Sequence, residues 1–169
     1  PAGIVCTISK IDKNNVIDYL NFPERIYPVG RLDKESTGLL LLTNNGQLMD
    51  DVLRGSNYHE KEYIVHVNKP ITDSVLQAMA QGVPILDTIT RPCKIRRMGK
   101  DCFYITLTQG LNRQIRRMCE YFDYRVTSLK RIRIMNIELG SLPVGKWREL
   151  TPSEIKTLKN LAQNKGEAE

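Results

Sequence analysis

The longest apolar run in this 169-residue chain is Gly38-Leu39-Leu40-Leu41-Leu42. A membrane-spanning helix needs roughly 18 to 20 consecutive apolar residues, so no span is expected, and a run this short suits a strand covered on both faces. Thr37-Gly38 leads into it, and Asn44-Asn45-Gly46 is expected to turn the chain out of it. The apolar period then changes. Leu48, Met49, Val52 and Leu53 recur at helical spacing, with Gly55 placed to stop the helix. From Glu62 to Asn68 the residues alternate, Tyr63, Val65 and Val67 to one side and Ile64 and His66 to the other, which is a strand pattern. Thr72 is expected to cap a helix carrying Val75, Leu76 and Met79 to Gly82, and Phe103 to Thr108 alternates again. Thr151-Pro152-Ser153-Glu154 combines a capping box with proline at the first helical position, ahead of Ile155, Leu158 and Leu161 as the buried stripe. Strand and helix periods interleave with no repeat or low-complexity linker, so one α+β domain is expected, followed by a polar tail over 164–169.

Charge is unevenly placed. Residues 91–133 hold twelve Lys/Arg against three Asp/Glu, a net +9, while the remaining thirteen basic and sixteen acidic residues leave −3. A localised basic surface attracts polyanions, nucleic acid above all; the plainer reading is a solvated charged face. Cys6, Cys93, Cys102 and Cys119 form no CxxC pair, and His59 and His66 lie near none of them in sequence. No metal site is therefore expected, and the cysteines read as small buried hydrophobes of a reducing compartment. Pro1 to Cys6 carries neither a basic leader nor an apolar signal region, so the expectation is a soluble, cytoplasmic protein. Nothing in the apolar pattern demands a second copy, and a monomer is expected.

The most informative short segment runs from Asn112 to Phe122. Helical spacing places Ile115, Met118, Cys119 and Phe122 on one face and Arg113, Arg116 and Arg117 on the other. Guanidinium groups so close repel one another, and phosphates or a buried carboxylate would relieve them. Gln109-Gly110 ahead of the helix lets the chain turn sharply, and the free N–H groups of a helix start also favour an anion.

Gly30-Arg31-Leu32-Asp33-Lys34-Glu35-Ser36-Thr37-Gly38-Leu39-Leu40 resembles the GRLDxxSxGLLLLT signature of pseudouridine synthases. Lys61-Glu62-Tyr63 resembles the second motif of that family and Gly110-Leu111-Asn112-Arg113-Gln114-Ile115-Arg116-Arg117-Met118 the third, in the same order and spacing. Lys130 to Ile137 and Gly145 to Leu150 extend the likeness to the RsuA-like branch that modifies ribosomal RNA, with wording nearer to its large-subunit (23S) members than to its small-subunit one. The resemblance implies the pseudouridine synthase fold, a mixed and largely antiparallel sheet flanked by helices, with the catalytic domain over 1–163. It also implies that full-length members carry a small S4-like RNA-binding domain first, and a lysine just before Pro1-Ala2-Gly3; neither is in this sequence.

By the same resemblance Asp33 is the catalytic carboxylate, Arg116 pairs with it and keeps it ionised despite burial, Tyr63 stacks on the target base and acts on a proton late in the reaction, and Leu129 walls the pocket. The reaction breaks the C1′–N1 bond of uridine and joins C1′ to C5, with no redox change, so no cofactor is needed. The carboxylate could attack C1′, attack the base, or remove a ribose proton. The uridine must be flipped out of its helix, at a cost of about a few kcal/mol. Arg31, Lys34, Arg113, Arg117, Lys130, Arg131 and Arg133 are candidate phosphate contacts that would offset it. The expected partner is a 23S ribosomal RNA stem-loop; small-subunit or transfer RNA is the alternative within the family. Each residue also has an ordinary reading, an aspartate capping a turn or a strand tyrosine in packing. Two other classes remain open: a non-catalytic RNA-binding module with the same basic helix, and an aspartate-dependent hydrolase or nucleosidase acting on a small molecule.

Overall fold

The computed structural model describes residues 1–54 and 58–163. Along the chain these form α1 (Val16–Leu20), β1 (Tyr27–Val29), β2 (Thr37–Gly38), β3 (Leu41–Thr43), α2 (Gly46–Arg54), β4 (Lys61–Val67), α3 (Asp73–Gln81), β5 (Pro84–Ile85), β6 (Thr88–Ile89), β7 (Lys94–Arg97), β8 (Cys102–Leu107), α4 (Gln114–Tyr121), β9 (Val126–Ile134), β10 (Ile137–Glu138) and α5 (Pro152–Gln163). The main sheet runs β10-β9-β4-β8-β7 through antiparallel pairs, and β2 adds to β9 in parallel. This is the expected α+β class with a mixed, largely antiparallel sheet and flanking helices. Gly55 and the tail over 164–169 lie outside the described residues. No described helix is long and apolar enough to cross a membrane.

One face of the sheet is dry. Val65 and Val67 of β4, Phe103, Ile105 and Leu107 of β8 and Leu129 of β9 meet Leu76 and Met79 of α3 and Ile115, Met118 and Cys119 of α4 in one apolar core. A second core lies beside it, where Val29, Leu39 and Leu41 pack with Val52 of α2, Ile134 and Ile137 of the sheet, and Leu158 and Ala162 of α5. The two cores share strand β9, which gives Val126 and Leu129 to the first and Ile134 to the second.

The apolar run is not one strand. Thr37-Gly38 pairs with β9, whereas Leu41-Leu42-Thr43 leaves to pair antiparallel with β1. The break follows from Gly38, whose φ of +108° favours glycine and whose missing Cβ would lie 2.1 Å from the Arg131 carbonyl oxygen. At α2 the Asn45 side chain accepts from the N–H groups of Gln47 and Leu48, so the expected turn is also the helix cap. Leu48, Met49 and Val52 face inward there, but Leu53 is exposed, because the helix meets its neighbours over a narrow stripe only. The Thr72 cap holds as expected, its Oγ1 accepting from the Val75 N–H at 3.3 Å. The capping box of α5 forms reciprocally, Thr151 Oγ1 accepting from Glu154 N–H at 3.1 Å and Glu154 Oε1 from Thr151 N–H at 3.0 Å. Its buried stripe is Leu158 and Ala162 with Ile155 half-buried; Leu161, expected inside, is exposed because α5 lays one face on the second core.

Candidate active site

The loop between β1 and β2 carries Asp33 and is fastened from several directions. Ser36 N–H donates to the Asp33 carbonyl at 2.9 Å, closing a turn, and Gly3 N–H donates to the Lys34 carbonyl at 2.6 Å. Leu32 N–H lies 3.4 Å from the buried Cys6 sulfur. The flank of α4 supplies two arginines: Arg113 forms an ion pair with Glu35 at 3.1 Å, and Arg116 Nη2 donates to the Ser36 hydroxyl at 3.3 Å. From β9, Arg131 Nη1 donates to the Arg31 carbonyl at 3.3 Å and its Nε to the Leu39 carbonyl at 2.8 Å. Asp33 itself is half-buried and has no ion pair among the described residues.

The expected Asp33–Arg116 ion pair is therefore not formed. Arg116 reaches the right loop but is engaged three residues further on, at Ser36, and its Nε is buried without a hydrogen-bond partner. The three arginines of the third motif also do not share a helical face. Arg113 precedes α4 in a left-handed conformation, φ 50°, because the chain closes a tight turn there, with Leu111 N–H bonded to the Gln114 side chain and Gln114 N–H to the Leu111 carbonyl. Arg117 folds back onto Asn112, bonding its carbonyl and side-chain oxygens at 3.0 Å each.

Tyr63 and Leu129 are placed by sheet register. Tyr63 is half-buried on β4, directly across from Ile105 on β8 and Arg131 on β9, and it packs against the first core. Leu129, two residues before Arg131 and on the same face of β9, lies opposite Val65, and its carbonyl accepts from the Thr37 hydroxyl at 3.4 Å. β9 thus meets the aspartate loop through the Leu129 carbonyl and the Arg131 side chain, and places Arg131 opposite Tyr63.

The candidate phosphate contacts divide. Arg31, Lys34 and Lys130 are exposed. Arg31 and Lys34 flank Asp33, whereas Lys130 pairs with Ile64 and so projects from the opposite face of the sheet to Tyr63. Arg131 is not placed to contact phosphate: it is only 3% exposed, with Nε and Nη1 bonded to main-chain carbonyls. Arg133 is likewise engaged internally, bonded to Glu60 and Glu62 at 3.1 and 3.3 Å and to the Met135 carbonyl at 2.8 Å, since β9 sets it beside two carboxylates.

Three residues with no assigned role in the sequence reading belong to this site. Ser36 is buried and links Asp33's turn to Arg116. Gly38 lets β2 lie against Arg131. Lys61 is half-buried at the start of β4, its amine 3.6 Å from where a Cβ on Gly110 would sit. Burial, and then the charge of Arg131, lower its pKa below the ordinary lysine value. All three lie inside the quoted motifs; what the sequence could not show was their contacts. Two surface hollows lie elsewhere, one lined by Asn136, Glu138, Arg148 and Glu154 among others and one by residues 84–89, and Asp33 lines neither. Among the described residues no group of three His, Cys, Asp or Glu side chains is placed to hold a metal.

Comparison with known proteins identifies the family. The sequence model of the RNA pseudouridylate synthase family matches residues 1–121, which include the Asp33 loop, Tyr63 and Arg116. The chain is 53% identical over 163 residues to the dual-specificity RNA pseudouridine synthase RluF of Salmonella typhi, covering 96% of this chain but 56% of that protein. It is 34% identical to the ribosomal large subunit pseudouridine synthase B of Bacillus subtilis, covering 97% of this chain and 70% of that one. A crystal structure of a pseudouridylate synthase superposes with a TM-score of 0.84 at 31% identity, over 94% of this chain and 70% of that one. The chain thus spans little more than half the length of its RluF relative. With the family model, the relatives and the fold in agreement, the chain belongs to the RNA pseudouridylate synthases.

Proposed function

We propose that this chain isomerises uridine to pseudouridine in ribosomal RNA, with Asp33 as its catalytic carboxylate. The observation that carries the reading is the convergence of Arg113, Arg116 and Arg131, from two different elements, on the loop that bears Asp33, whose carboxylate has no ion pair among the described residues. A loop held this firmly keeps its reactive group where a substrate can meet it, and positioning of that kind is worth orders of magnitude in rate.

In the proposed reaction a flipped-out uridine lies against Tyr63, with Leu129 closing the pocket beneath it. The C1′–N1 bond breaks, the uracil turns, and C1′ bonds to C5. The proton on C5 then leaves, with the Tyr63 hydroxyl as the group that handles it, and N1 ends as an N–H. Asp33 acts while ionised, at C1′, at the base or on a ribose proton. Arg116 is the electrostatic partner: its unpartnered Nε is the donor we assign to Asp33 once the nucleotide is seated, since catalytic hydrogen bonds often tighten only in the complex. Arg31 and Lys34, exposed on the same loop, and Arg113 and Arg117 at the start of α4, hold the phosphates around the flipped nucleotide. The chemistry uses only these side chains and water.

The test is to incubate the protein with in vitro transcribed 23S ribosomal RNA, and separately with transfer RNA, and to map pseudouridine by carbodiimide chemistry. Wild type should modify ribosomal RNA, and Asp33→Ala should lower the rate at least about 10³-fold while binding RNA as well as wild type, since no phosphate contact is lost. Unmodified RNA with wild type, or an active Asp33→Ala, rejects the reading. Modification of transfer RNA as well would show that this chain acts on two classes of RNA.

A further inference from the structure

Both ends of the Asp33 loop are gripped by a single side chain. Arg131 donates from Nε to the Leu39 carbonyl at 2.8 Å and from Nη1 to the Arg31 carbonyl at 3.3 Å, and its own carbonyl accepts from Leu39 N–H at 2.8 Å. The same residue stands directly across the sheet from Tyr63. Its Nη2 is buried with no partner, and no carboxylate pairs with its charge among the described residues. The neighbouring cation is Lys61, which adds repulsion rather than relief.

Burying a guanidinium without a counter-ion is strongly unfavourable, and an apolar residue of similar volume would hold a strand together at lower cost. Main-chain pairing of β2 with β9 already fastens one end of the loop. What only a long planar donor supplies is a fixed span between two carbonyls that flank Asp33, measured from the strand position opposite Tyr63. Gly38 makes the span reachable, because any side chain there would collide with the Arg131 backbone.

We propose that Arg131 is a positioning residue, which sets the placement of the Asp33 loop relative to Tyr63 and touches neither RNA phosphate nor the reacting atoms. The proposal rests on the function assigned above to Asp33 and Tyr63. Arg131→Met removes both side-chain hydrogen bonds. Arg131→Lys keeps the buried charge and can reach one of the two carbonyls.

Each variant is compared with wild type and Asp33→Ala by single-turnover pseudouridine formation at saturating 23S transcript, and by filter binding of the same RNA across a salt series. Thermal melts establish which variants fold. Arg131→Met should slow the single turnover roughly 100-fold, the scale expected of an ångström-sized misplacement. Arg131→Lys should recover part of that loss, and both should keep RNA affinity within about twofold and an unchanged salt slope. If Arg131→Met does not fold, Arg131→Lys decides alone: it should turn over at least about tenfold slower than wild type with RNA affinity intact. Turnover at the wild-type rate overturns the proposal. So does a loss that appears as weaker binding with a salt slope reduced by about one, the mark of a phosphate contact. A dead Asp33→Ala beside wild-type Arg131 variants rejects this inference alone, whereas an active Asp33→Ala rejects the functional reading beneath it.

Discussion

Gly38 and Lys61 show how single residues set the conditions for the site. At Gly38 the backbone has φ +108° and a Cβ would lie 2.1 Å from a main-chain oxygen, so nothing flexible can yield. Gly38→Ala should destabilise the protein by about 3 kcal/mol or more, a fall in melting temperature of roughly 6 °C or more, with pseudouridine formation lost at temperatures where the variant is still folded. Lys61 makes the opposite kind of test. Its amine has a lowered pKa in the folded state, chiefly from burial and then from Arg131, so the unfolded chain binds its proton more tightly. Stability should therefore rise with pH between the lowered folded pKa and the unfolded value near 10.5, and Lys61→Met should remove that rise, as read by melts across the alkaline range. The sequence singled out Asp33 and Tyr63 through motifs, and it placed Arg131 on the surface, where the structure buries it. A buried arginine breaks the rule that charged residues stay outside, so the inward position of Arg131 on β9 was masked by the cationic run around it.

Among the elements, α5 was the most legible, because both its signals are local: a side chain and a main-chain N–H three residues apart bond each other whatever surrounds them. Thr151→Ala should cost about 1 kcal/mol, a drop of roughly 2 to 4 °C in melting temperature. Glu154 belongs to the same cap. Hydrogen bonds from Arg148 and then from the Thr151 N–H hold its pKa down to about 2, below the usual 4.5. Its contribution is present above pH 4.5 and lost as the pH falls toward 2, so the acid side of a melting-temperature profile should be flatter for Glu154→Gln than for wild type. By contrast α4 begins two residues later than its apolar spacing suggests, since the Leu111–Gln114 bonds favour a turn before the helix. The short strands β1, β2, β5, β6 and β10, of two or three residues each, had no readable period at all; β1 and β2 are set by partners further along the chain, β3 and β9, whereas β5 with β6 and β9 with β10 are tight local pairings too short to alternate.

Over the whole molecule the positive charge is split between the two sides of the sheet. Arg31 and Lys34 border the Asp33 loop, while Lys130 projects from the face away from Tyr63. Replacing Arg31 and Lys34 with alanine should weaken RNA binding and reduce the salt slope by about 0.7 to 0.9 per residue, whereas Lys130→Ala should leave the turnover rate at saturating RNA unchanged. Arg133→Ala should act on stability instead, by about 1 to 3 kcal/mol, because Glu60 and Glu62 would then face each other without their shared cation. One architectural fact ties these observations together. The ends of the aspartate loop are rooted, through Val29, Leu39 and Leu41, in one apolar core, while Tyr63, Leu129 and the inner face of α4 are rooted in the other. The working constellation is a seam between two halves, one around each core, that share strand β9. A modest loosening of either half, far short of melting it, pulls the seam apart, so mild warming or low denaturant should silence turnover while most of the sheet stays protected from hydrogen exchange.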